Sequence, residues 1–334
     1  MRKKFEIVDR TIVLSNTEES EIDFYINPDE IEKQSILKNL DFDEHTLSSA
    51  LDADEISRIE FEQDYTFIIW KKPDNYSFET QLLFKVSSIG FILSSKKLIV
   101  ILTDDYELNN RREFSKINSL RDYFLKILFY IVRHYNDHIK AINMMSKELQ
   151  NKITVSLENK YLVQMFNLSE SLVYYINAIN ANNTVLIKLK NNAQKIGFTE
   201  EEIEMLDDLL IESNQSYKQA EIYSTVLSGL MDARGNLINN NMNILLKKLT
   251  IINVIFLPLN LIASIGGMSE FSMMTKGVPW QISYSLFGLA MVLIGGFTAW
   301  ILSRISTERS KKNRMKKDFL TLRKLFSGRA TTVN

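Results

Sequence analysis

The sequence predicts an α+β membrane protein, with a cytosolic domain in its N-terminal part and two membrane-spanning helices near its C-terminal end. Three observations support this fold class. Strand patterns occur in the first 115 residues, and no proline interrupts the stretch between Pro73 and Pro258, so long helices can form there. Two long uncharged segments then follow. A chain of 334 residues is long enough for roughly two domains.

The strand patterns lie in segments that are rich in β-branched and aromatic residues, namely KFEIVDRTIVL, DYTFIIWKKP and FILSSKKLIVILTDD. Within the last segment, the run from Ser94 to Lys97 is polar and separates two apolar stretches. We therefore expect a β-hairpin with its turn at this run.

Long helices are predicted after about Ser115. The first covers Leu120–Leu157, the second covers Lys160–Asn192, and the third begins at Thr199, where Thr-Glu-Glu-Glu resembles a capping box. Nothing in the sequence stops the third helix before the membrane. Its apolar residues follow one heptad frame, which predicts a packing stalk. They are Ile203, Leu206, Leu210, Tyr217, Ala220, Leu227, Met231, Ile238 and Leu245.

The two uncharged segments are Leu249–Ser269 and Gly277–Ser303. Each exceeds the roughly 20 residues that a helix needs to cross a bilayer. The alternative is a pair of buried core helices, but soluble helices seldom stay apolar on every face for this length. The segments therefore predict an integral membrane protein, with the lipid bilayer as one partner.

Charged residues beside the spans predict the topology. Lys247 and Lys248 precede the first span, and the segment between the spans carries only Glu270 and Lys276. Positive charges concentrate on the cytoplasmic side of membrane proteins, so both termini should lie in the cytoplasm and the connection between the spans outside. We expect the membrane to be the plasma (inner) membrane. The basic residues after the second span are Arg304, Arg309, Lys311, Lys312, Arg314, Lys316 and Lys317.

These boundaries divide the chain into seven segments. They are a cytosolic α/β domain (1–115), a cytosolic helical hairpin (116–198), a stalk helix (199–248), transmembrane helix 1 (249–269), an external loop (270–279), transmembrane helix 2 (280–303) and a basic cytosolic tail (304–334).

Composition argues against several functional classes. The formal net charge of −1 is unlike the basic excess of nucleic-acid-binding proteins. Cysteine is absent, which excludes disulfides and thiolate chemistry. His134 and His138 are four residues apart on a helix, but HYNDH lacks the glutamate of a zincin motif, so we expect a solvated helix face there. No catalytic constellation stands out, and we predict that the protein is not an enzyme.

A stripe of residues at steps of three or four follows the third helix into the membrane, and we call it the polar stripe. Lipid offers no hydrogen bonds to polar groups, so such groups usually face a partner helix or a water-filled pathway. Two interpretations stay open, which are hydrogen bonding between helices and a pore lined by copies of this helix. The polar stripe consists of Asp232, Asn236, Asn239, Asn243, Leu246, Leu249, Asn253, Leu257, Asn260, Ser264 and Gly267.

A pore would require an oligomer, because two spans per chain cannot enclose a pathway. Amide oxygens without carboxylates at membrane depth suit a hard cation that keeps most of its water, and Mg²⁺ fits that description. Leucines between the amides could form constrictions that close by dewetting.

Several segments resemble the CorA family of divalent-cation (magnesium/cobalt) channels. KKLTIINVIFLPLNLIASIGGMSE resembles the family's signature region, and LDADEISRIEFEQDYTFIIWKKP resembles a segment of its N-terminal domain. NKYLVQMFNLSESLVYYINAINANNTVLIKL and SGLMDARGNLINNNMN resemble its middle helix and lower stalk. The resemblance implies a homopentamer with a cytosolic α/β/α funnel domain and a stalk helix that lines the pore. It also implies a divalent cation as both the transported and the regulatory ion, with no other cofactor.

The pore entrance departs from the family pattern. Where the family has Gly-Met-Asn, this chain has Gly267, Met268 and Ser269, and Gly266 replaces the aromatic residue that commonly precedes the tripeptide. Glu270 is either an ordinary loop charge or part of a ring of carboxylates that concentrates cations. Three functions follow: influx of Mg²⁺ with Co²⁺ or Ni²⁺ as further substrates, zinc transport as in another branch of the superfamily, or metal sensing without conduction.

The resemblance also assigns acidic residues. Asp232 matches an acidic position that would ring the cytosolic pore. Asp208 matches a stalk acid that helps to hold a regulatory divalent ion between neighbouring subunits, or else it is a solvated helix acid. Asp74 is the candidate partner of Asp208 in the N-terminal domain. An ion shared by two subunits would hold them together, and its loss would let the pore open.

Overall fold

The computed structural model describes residues 1–15, 17, 20–40, 44–74, 82–104, 114, 116–155, 159–274, 276–301 and 304. The chain forms two compact units, divided between Ala233 and Arg234. The first unit contains a β-sheet and most of the helices. The second contains the apolar helical segments.

In the described part of the first unit, seven strands form one mixed sheet, in the order β2-β1-β3-β7-β6-β5-β4. Strands β3 and β7 pair in parallel, and the other neighbours pair antiparallel. The predicted hairpin between β6 and β7 is confirmed. The strands are β1 (Arg2–Val8), β2 (Thr11–Leu14), β3 (Ile22–Ile26), β4 (Arg58–Phe61), β5 (Tyr65–Pro73), β6 (Val86–Ser94) and β7 (Leu98–Leu102).

The residues that the structure describes form eight helices. The three long helices begin within one residue of the predicted starts, and the prediction that the third continues without a break is confirmed. The helices are α1 (Glu30–Leu40), α2 (Glu44–Leu51), α3 (Leu120–Val155), α4 (Asn159–Asn191), α5 (Ala193–Ile196), α6 (Glu200–Gly266), α7 (Ser269–Met274) and α8 (Trp280–Ile301).

The sheet separates two hydrophobic cores, and β5 contributes to both. Phe67 and Ile69 share one core with Leu47 of α2. Ile68 and Trp70 belong to the other core, with residues of α3 and α4. Successive side chains of a strand point to opposite faces, so this alternation is expected for a strand covered on both sides. The first unit is therefore the α/β/α domain that the sequence analysis predicted.

A capping box begins α6, as the sequence predicts. The Thr199 backbone N–H donates to Glu202 Oε2 at 2.8 Å, and the Glu202 N–H donates to Thr199 Oγ1 at 3.3 Å. The hydroxyl of Ser119 donates to the other oxygen of Glu202 at 2.6 Å. Because Ser119 immediately precedes α3, this contact joins the starts of two long helices.

The heptad seam of α6 packs within its own chain over residues 203–231. Leu206, Ala220 and Leu227 are buried in the core that includes α3 and α4. Ile238 and Leu245 are 39% and 60% exposed. Within one chain, the heptad seam therefore packs only over its first part. The heptad pattern alone does not show where this packing ends.

Two boundaries in the second unit differ from the prediction. The helix of the first span ends at Gly266 instead of Ser269, and α7 (Ser269–Met274) combines the last residue of the predicted span with the first residues of the predicted loop. Two successive glycines, Gly266 and Gly267, lower the helix propensity at this point, which explains the earlier end. Apart from Arg304, the predicted basic tail lies outside the described residues.

The prediction of a solvated helix face at His134 and His138 is wrong for His138, which is only 5% exposed. Its Nδ1 atom and the hydroxyl of Tyr175 are hydrogen-bonded at 2.6 Å, and its ring packs on Phe84. Burial, together with the charge of His134, lowers the pKa of His138 to about 3, so its imidazole is neutral at physiological pH. The histidine is thus part of the bundle core.

The acid stability of the sheet should depend on Asp23, a fully buried residue of β3. Burial would raise the pKa of its carboxyl, but hydrogen bonds from Lys97, Ser20 and Arg2 outweigh burial and hold the pKa below its usual value. A lowered pKa in the folded state means that this stabilisation is present above the unfolded pKa of about 4 and is lost as the pH falls through the folded pKa.

We expect Asp23→Asn to lower the free energy of unfolding by about 2 kcal/mol at pH 7, because a charged acceptor is lost. Thermal unfolding of the full-length protein in detergent, followed from pH 7 to pH 3, measures this effect. The difference from the unmodified protein should shrink towards pH 3. Asp9→Asn in the exposed β1–β2 turn is the matched control. A difference that stays constant with pH would contradict the prediction.

Candidate functional site

Helices α6 and α8 pack against each other at two glycines. A Cβ atom on Gly295 of α8 would lie 3.4 Å from both methyl carbons of Leu259, and one on Gly266 of α6 would lie 2.5 Å from the ring of Phe287. Helices α6 and α8 therefore approach each other closely at Gly295, whereas Gly296 has no neighbour within 4 Å among the described atoms. The less exposed residues of α6 in this region mark the packed face, and they are Ile251, Ile255, Pro258, Leu259, Ile262 and Gly266.

The polar stripe lies on the other side of α6. With 3.6 residues per turn, its members between residues 249 and 267 point about 160° away from the packed face. Asn253, Asn260 and Ser264 are all exposed in the chain. The leucines between them are exposed as well, by 55% for Leu249 and 69% for Leu257. The stripe is therefore not the surface on which α8 packs.

The three polar side chains of the stripe at membrane depth have no hydrogen-bond partner among the described residues. No side-chain hydrogen bond joins Asn253, Asn260 or Ser264 to any residue that the structure describes. Among the described residues, hydrogen bonding between helices of one chain is therefore excluded as the role of these side chains. Lipid cannot satisfy amides, so another chain or water must.

The stripe continues towards the N-terminal end of α6. Asp232, Asn236, Asn239 and Asn243 are exposed, as is Leu246. These side chains contribute one carboxylate and three amides per chain. The stripe therefore offers oxygen ligands, which hard cations prefer, along several turns of one helix.

The predicted pore entrance is a tight turn between α6 and α7. The Gly267 N–H donates to Ala263 O, and the Met268 N–H donates to Ile265 O, each at 3.1 Å. The Ser269 hydroxyl donates to Glu270 Oε2 at 3.2 Å. The serine hydroxyl therefore contacts the neighbouring carboxylate, and both groups are exposed. The two residues could be identified from the sequence, but their contact could not.

The two predicted regulatory acids have different surroundings. Asp208 is exposed on α6. Asp74 is half-buried, receives a hydrogen bond from the Ser87 hydroxyl and pairs with Lys72 Nζ at 3.1 Å. Because the buried Lys72 ammonium pairs with this carboxylate, an ion at Asp74 would have to compete with it. Among the described residues, no three His, Asp or Glu side chains form a group that could hold a metal ion.

Tryptophans mark both ends of α8, where interfacial anchors are expected. Trp280 and Trp300 are 69% and 55% exposed. The guanidinium of Arg304 lies 5.3 Å from the centre of the Trp300 ring, a distance suited to a cation–π contact. Helices α6 and α8 are the two helices in the described part that are long and apolar enough to cross a membrane.

Comparison with known proteins gives consistent results. Residues 22–304 match the family described as CorA-like Mg2+ transporter protein. The cobalt/magnesium transport protein CorA of Methanocaldococcus jannaschii is 27% identical over 282 residues, which cover 82% of this chain and 86% of that protein.

Solved structures share the fold. The complete structure of the CorA magnesium transporter from Methanocaldococcus jannaschii matches with a TM-score of 0.72 at 24% identity, covering 91% of this chain and 96% of that one. The ZntB cytoplasmic domain from Vibrio parahaemolyticus matches with a TM-score of 0.55 at 12% identity, covering 72% and 97%. Since the family match extends from β3 to Arg304 and includes strands β3 to β7 and both apolar helices, the chain belongs to the CorA-like Mg2+ transporter family.

Proposed function

We propose that the protein is a divalent-cation channel that carries Mg²⁺ into the cytoplasm, and that copies of α6 line its pore. The observation that carries this proposal is the position of the polar stripe, on the side of α6 that faces away from α8. Helices arranged around an axis, with α8 outside, would turn their stripes towards one another. Two spans per chain cannot enclose a pathway, so the channel is an oligomer, and the resemblance implies five subunits.

The chemistry of the stripe favours a hydrated ion. Asn253, Asn260 and Ser264 offer neutral oxygens, and no carboxylate occurs between Leu249 and Ser269. Such groups bind water molecules around an ion more readily than they replace them. Mg²⁺ dehydrates reluctantly and usually keeps several waters. Co²⁺ and Ni²⁺ are the further substrates that we propose.

At the entrance, we propose that Ser269 and Glu270 act together. The hydrogen bond from the serine hydroxyl leaves one carboxylate oxygen of Glu270 for water or for a hydrated ion. Copies of this carboxylate around the pore would raise the local concentration of cations. We propose that the protein lies in the plasma (inner) membrane with both termini in the cytoplasm. In this topology the membrane potential drives cations inward.

Reconstitution tests the proposed function. We expect liposomes that contain the purified protein to take up Mg²⁺ faster than Zn²⁺, with Co²⁺ and Ni²⁺ also transported. Ser269→Asn should change the rate of Mg²⁺ uptake by less than about threefold, because Glu270 supplies the charge in both proteins. Protein-free liposomes are the control. Uptake that appears only after the substitution would support a metal sensor, and selective Zn²⁺ uptake would support a zinc transporter.

We further propose that a cytosolic divalent ion at Asp208 stabilises the closed channel by joining neighbouring subunits. Asp208→Ala should then raise the Mg²⁺ concentration that protects the full-length protein from trypsin by about tenfold, equivalent to about 1.4 kcal/mol of binding free energy. Glu204→Ala, an exposed acid one turn earlier in α6, is the matched control. Equal protection of all three proteins would refute this site.

A further inference from the structure

We propose that Phe287 of α8 is a positioning residue of the pore entrance, because its ring holds the end of α6 at Gly266. A Cβ atom built on Gly266 would lie 2.5 Å from Cζ, 2.9 Å from Cε1 and 3.1 Å from Cε2 of Phe287. Carbon atoms in favourable contact are about 3.5–4.0 Å apart. The edge of the ring therefore occupies the space that any side chain at residue 266 would need.

The contact between Phe287 and Gly266 lies directly beside the pore entrance. Gly266 is the last residue of α6 and directly precedes Gly267, Met268 and Ser269. Gly266 is buried, whereas the next three residues are exposed. The turn at the entrance thus has its packed support at its first residue, and Phe287 supplies that support from the neighbouring helix.

A second contact between α6 and α8 limits how α6 can move when a side chain is added at residue 266. Leu259, about two turns before Gly266, packs against Gly295 of α8. At one contact the glycine belongs to α6, and at the other it belongs to α8. Each helix therefore presents a large side chain to a glycine of its neighbour. With Leu259 held at Gly295, displacement at Gly266 would tilt the end of α6 and move the entrance.

Alanine at residue 266 should therefore displace the entrance by about 1 Å, the shift needed to restore ordinary contact with the ring. The same substitution at Gly267 provides a matched control, because the nearest atoms to a Cβ there are backbone oxygens at 3.6 Å, an ordinary contact. Removing the ring should reverse the effect. Gly266→Ala combined with Phe287→Ala should therefore resemble the unmodified protein more closely than Gly266→Ala does.

A spectroscopic experiment reads the position of the entrance directly. The chain has no cysteine, so Ser269→Cys provides a single attachment point for a spin label in the full-length reconstituted protein. We expect Gly266→Ala to change the mobility of the label and the distances between labels. The double substitution should restore both, and Gly267→Ala should change neither. Identical spectra for Gly266→Ala and Gly267→Ala would overturn the proposal.

If Gly266→Ala does not assemble, Phe287→Ala provides the test. Loss of the ring should increase the mobility of the label at residue 269, whereas Leu286→Ala, at a neighbouring residue that is 68% exposed, should not. Equal mobility in these two variants would overturn the proposal as well.

Transport gives a second measurement, which rests on the proposed function. In proteins that retain Ser269, Gly266→Ala should change the ratio of Mg²⁺ to Co²⁺ uptake at least about threefold, and adding Phe287→Ala should restore it. The label spectra do not require conduction. Restored spectra without uptake by any variant, including the unmodified protein, would leave the positioning role standing and refute the channel. Cation uptake by the unmodified protein, combined with label spectra that Gly266→Ala leaves unchanged, would refute the positioning role and leave the channel standing.

Discussion

Replacement of Asn260 by leucine is expected to abolish cation uptake while leaving the oligomer intact. The amide is exposed on α6 and lies on the side away from α8, so the substitution removes a polar group from the proposed pore without disturbing the packed face. Leucine is similar in size and would add a dry ring to the pathway. We expect uptake into liposomes to fall by at least about tenfold, or about 1.4 kcal/mol in the barrier.

Thr298→Val in α8 is the matched control, since it also removes a polar group from an apolar helix. The Thr298 hydroxyl bonds to the backbone oxygens of Ile294 and Gly295 in its own helix, so no pathway should depend on it. Oligomer size is measured by size-exclusion chromatography with light scattering. Normal uptake by an intact Asn260→Leu oligomer would mean that the stripe serves packing between copies.

Replacement of Asn182 by alanine should have the largest effect on the stability of the first unit. Asn182 of α4 is 1% exposed. Its Oδ1 accepts hydrogen bonds from the Lys71 N–H at 2.9 Å and the Ser57 hydroxyl at 2.7 Å, and its Nδ2 donates to Lys71 O at 2.8 Å. Strand β4 begins at Arg58, opposite Ile69, so it does not reach Lys71. At Lys71 the side-chain amide of Asn182 therefore makes the backbone hydrogen bonds that a neighbouring strand would otherwise make.

Alanine would remove three hydrogen bonds and leave both backbone groups of Lys71 buried without a partner. We expect a loss of about 3 kcal/mol, which lowers the apparent Tm on the order of 5–10 °C. Trp70 is fully buried in the sheet, so its fluorescence reports the transition in full-length protein. Asn180→Ala, an exposed change in the same helix, should have little effect. A similar Tm for both variants would contradict this role.

Much of the fold could be predicted because its long elements have strong patterns. The Thr199 capping box and the absence of proline from residue 74 to residue 257 predicted α6 almost to its ends. Strands β3 and β4 were not identified. Ile22–Ile26 is only five residues long, and it is buried throughout with Asp23 as its second residue, so no alternation marks it. Its neighbour β7 is distant in sequence, and such pairings leave no local signal.

The candidate site was predicted in part. Periodicity alone placed Asn253 and Asn260 on one face of α6, because helical geometry determines which residues share a face. Periodicity did not show whether α8 covers that face. Likewise, HYNDH gave no sign that Tyr175, which lies 37 residues after His138, completes a buried hydrogen bond.

The sequence by itself determined that this is a membrane protein of the CorA family type, with a long helix that carries polar groups into the bilayer. These properties depend on composition, order and spacing along one element. Only the tertiary structure decided that α8 packs opposite the polar stripe, that Phe287 lies against Gly266, and that Lys72 neutralises Asp74. Each of these depends on side chains brought together from separate elements, and such contacts arise from packing in three dimensions, which no local pattern encodes.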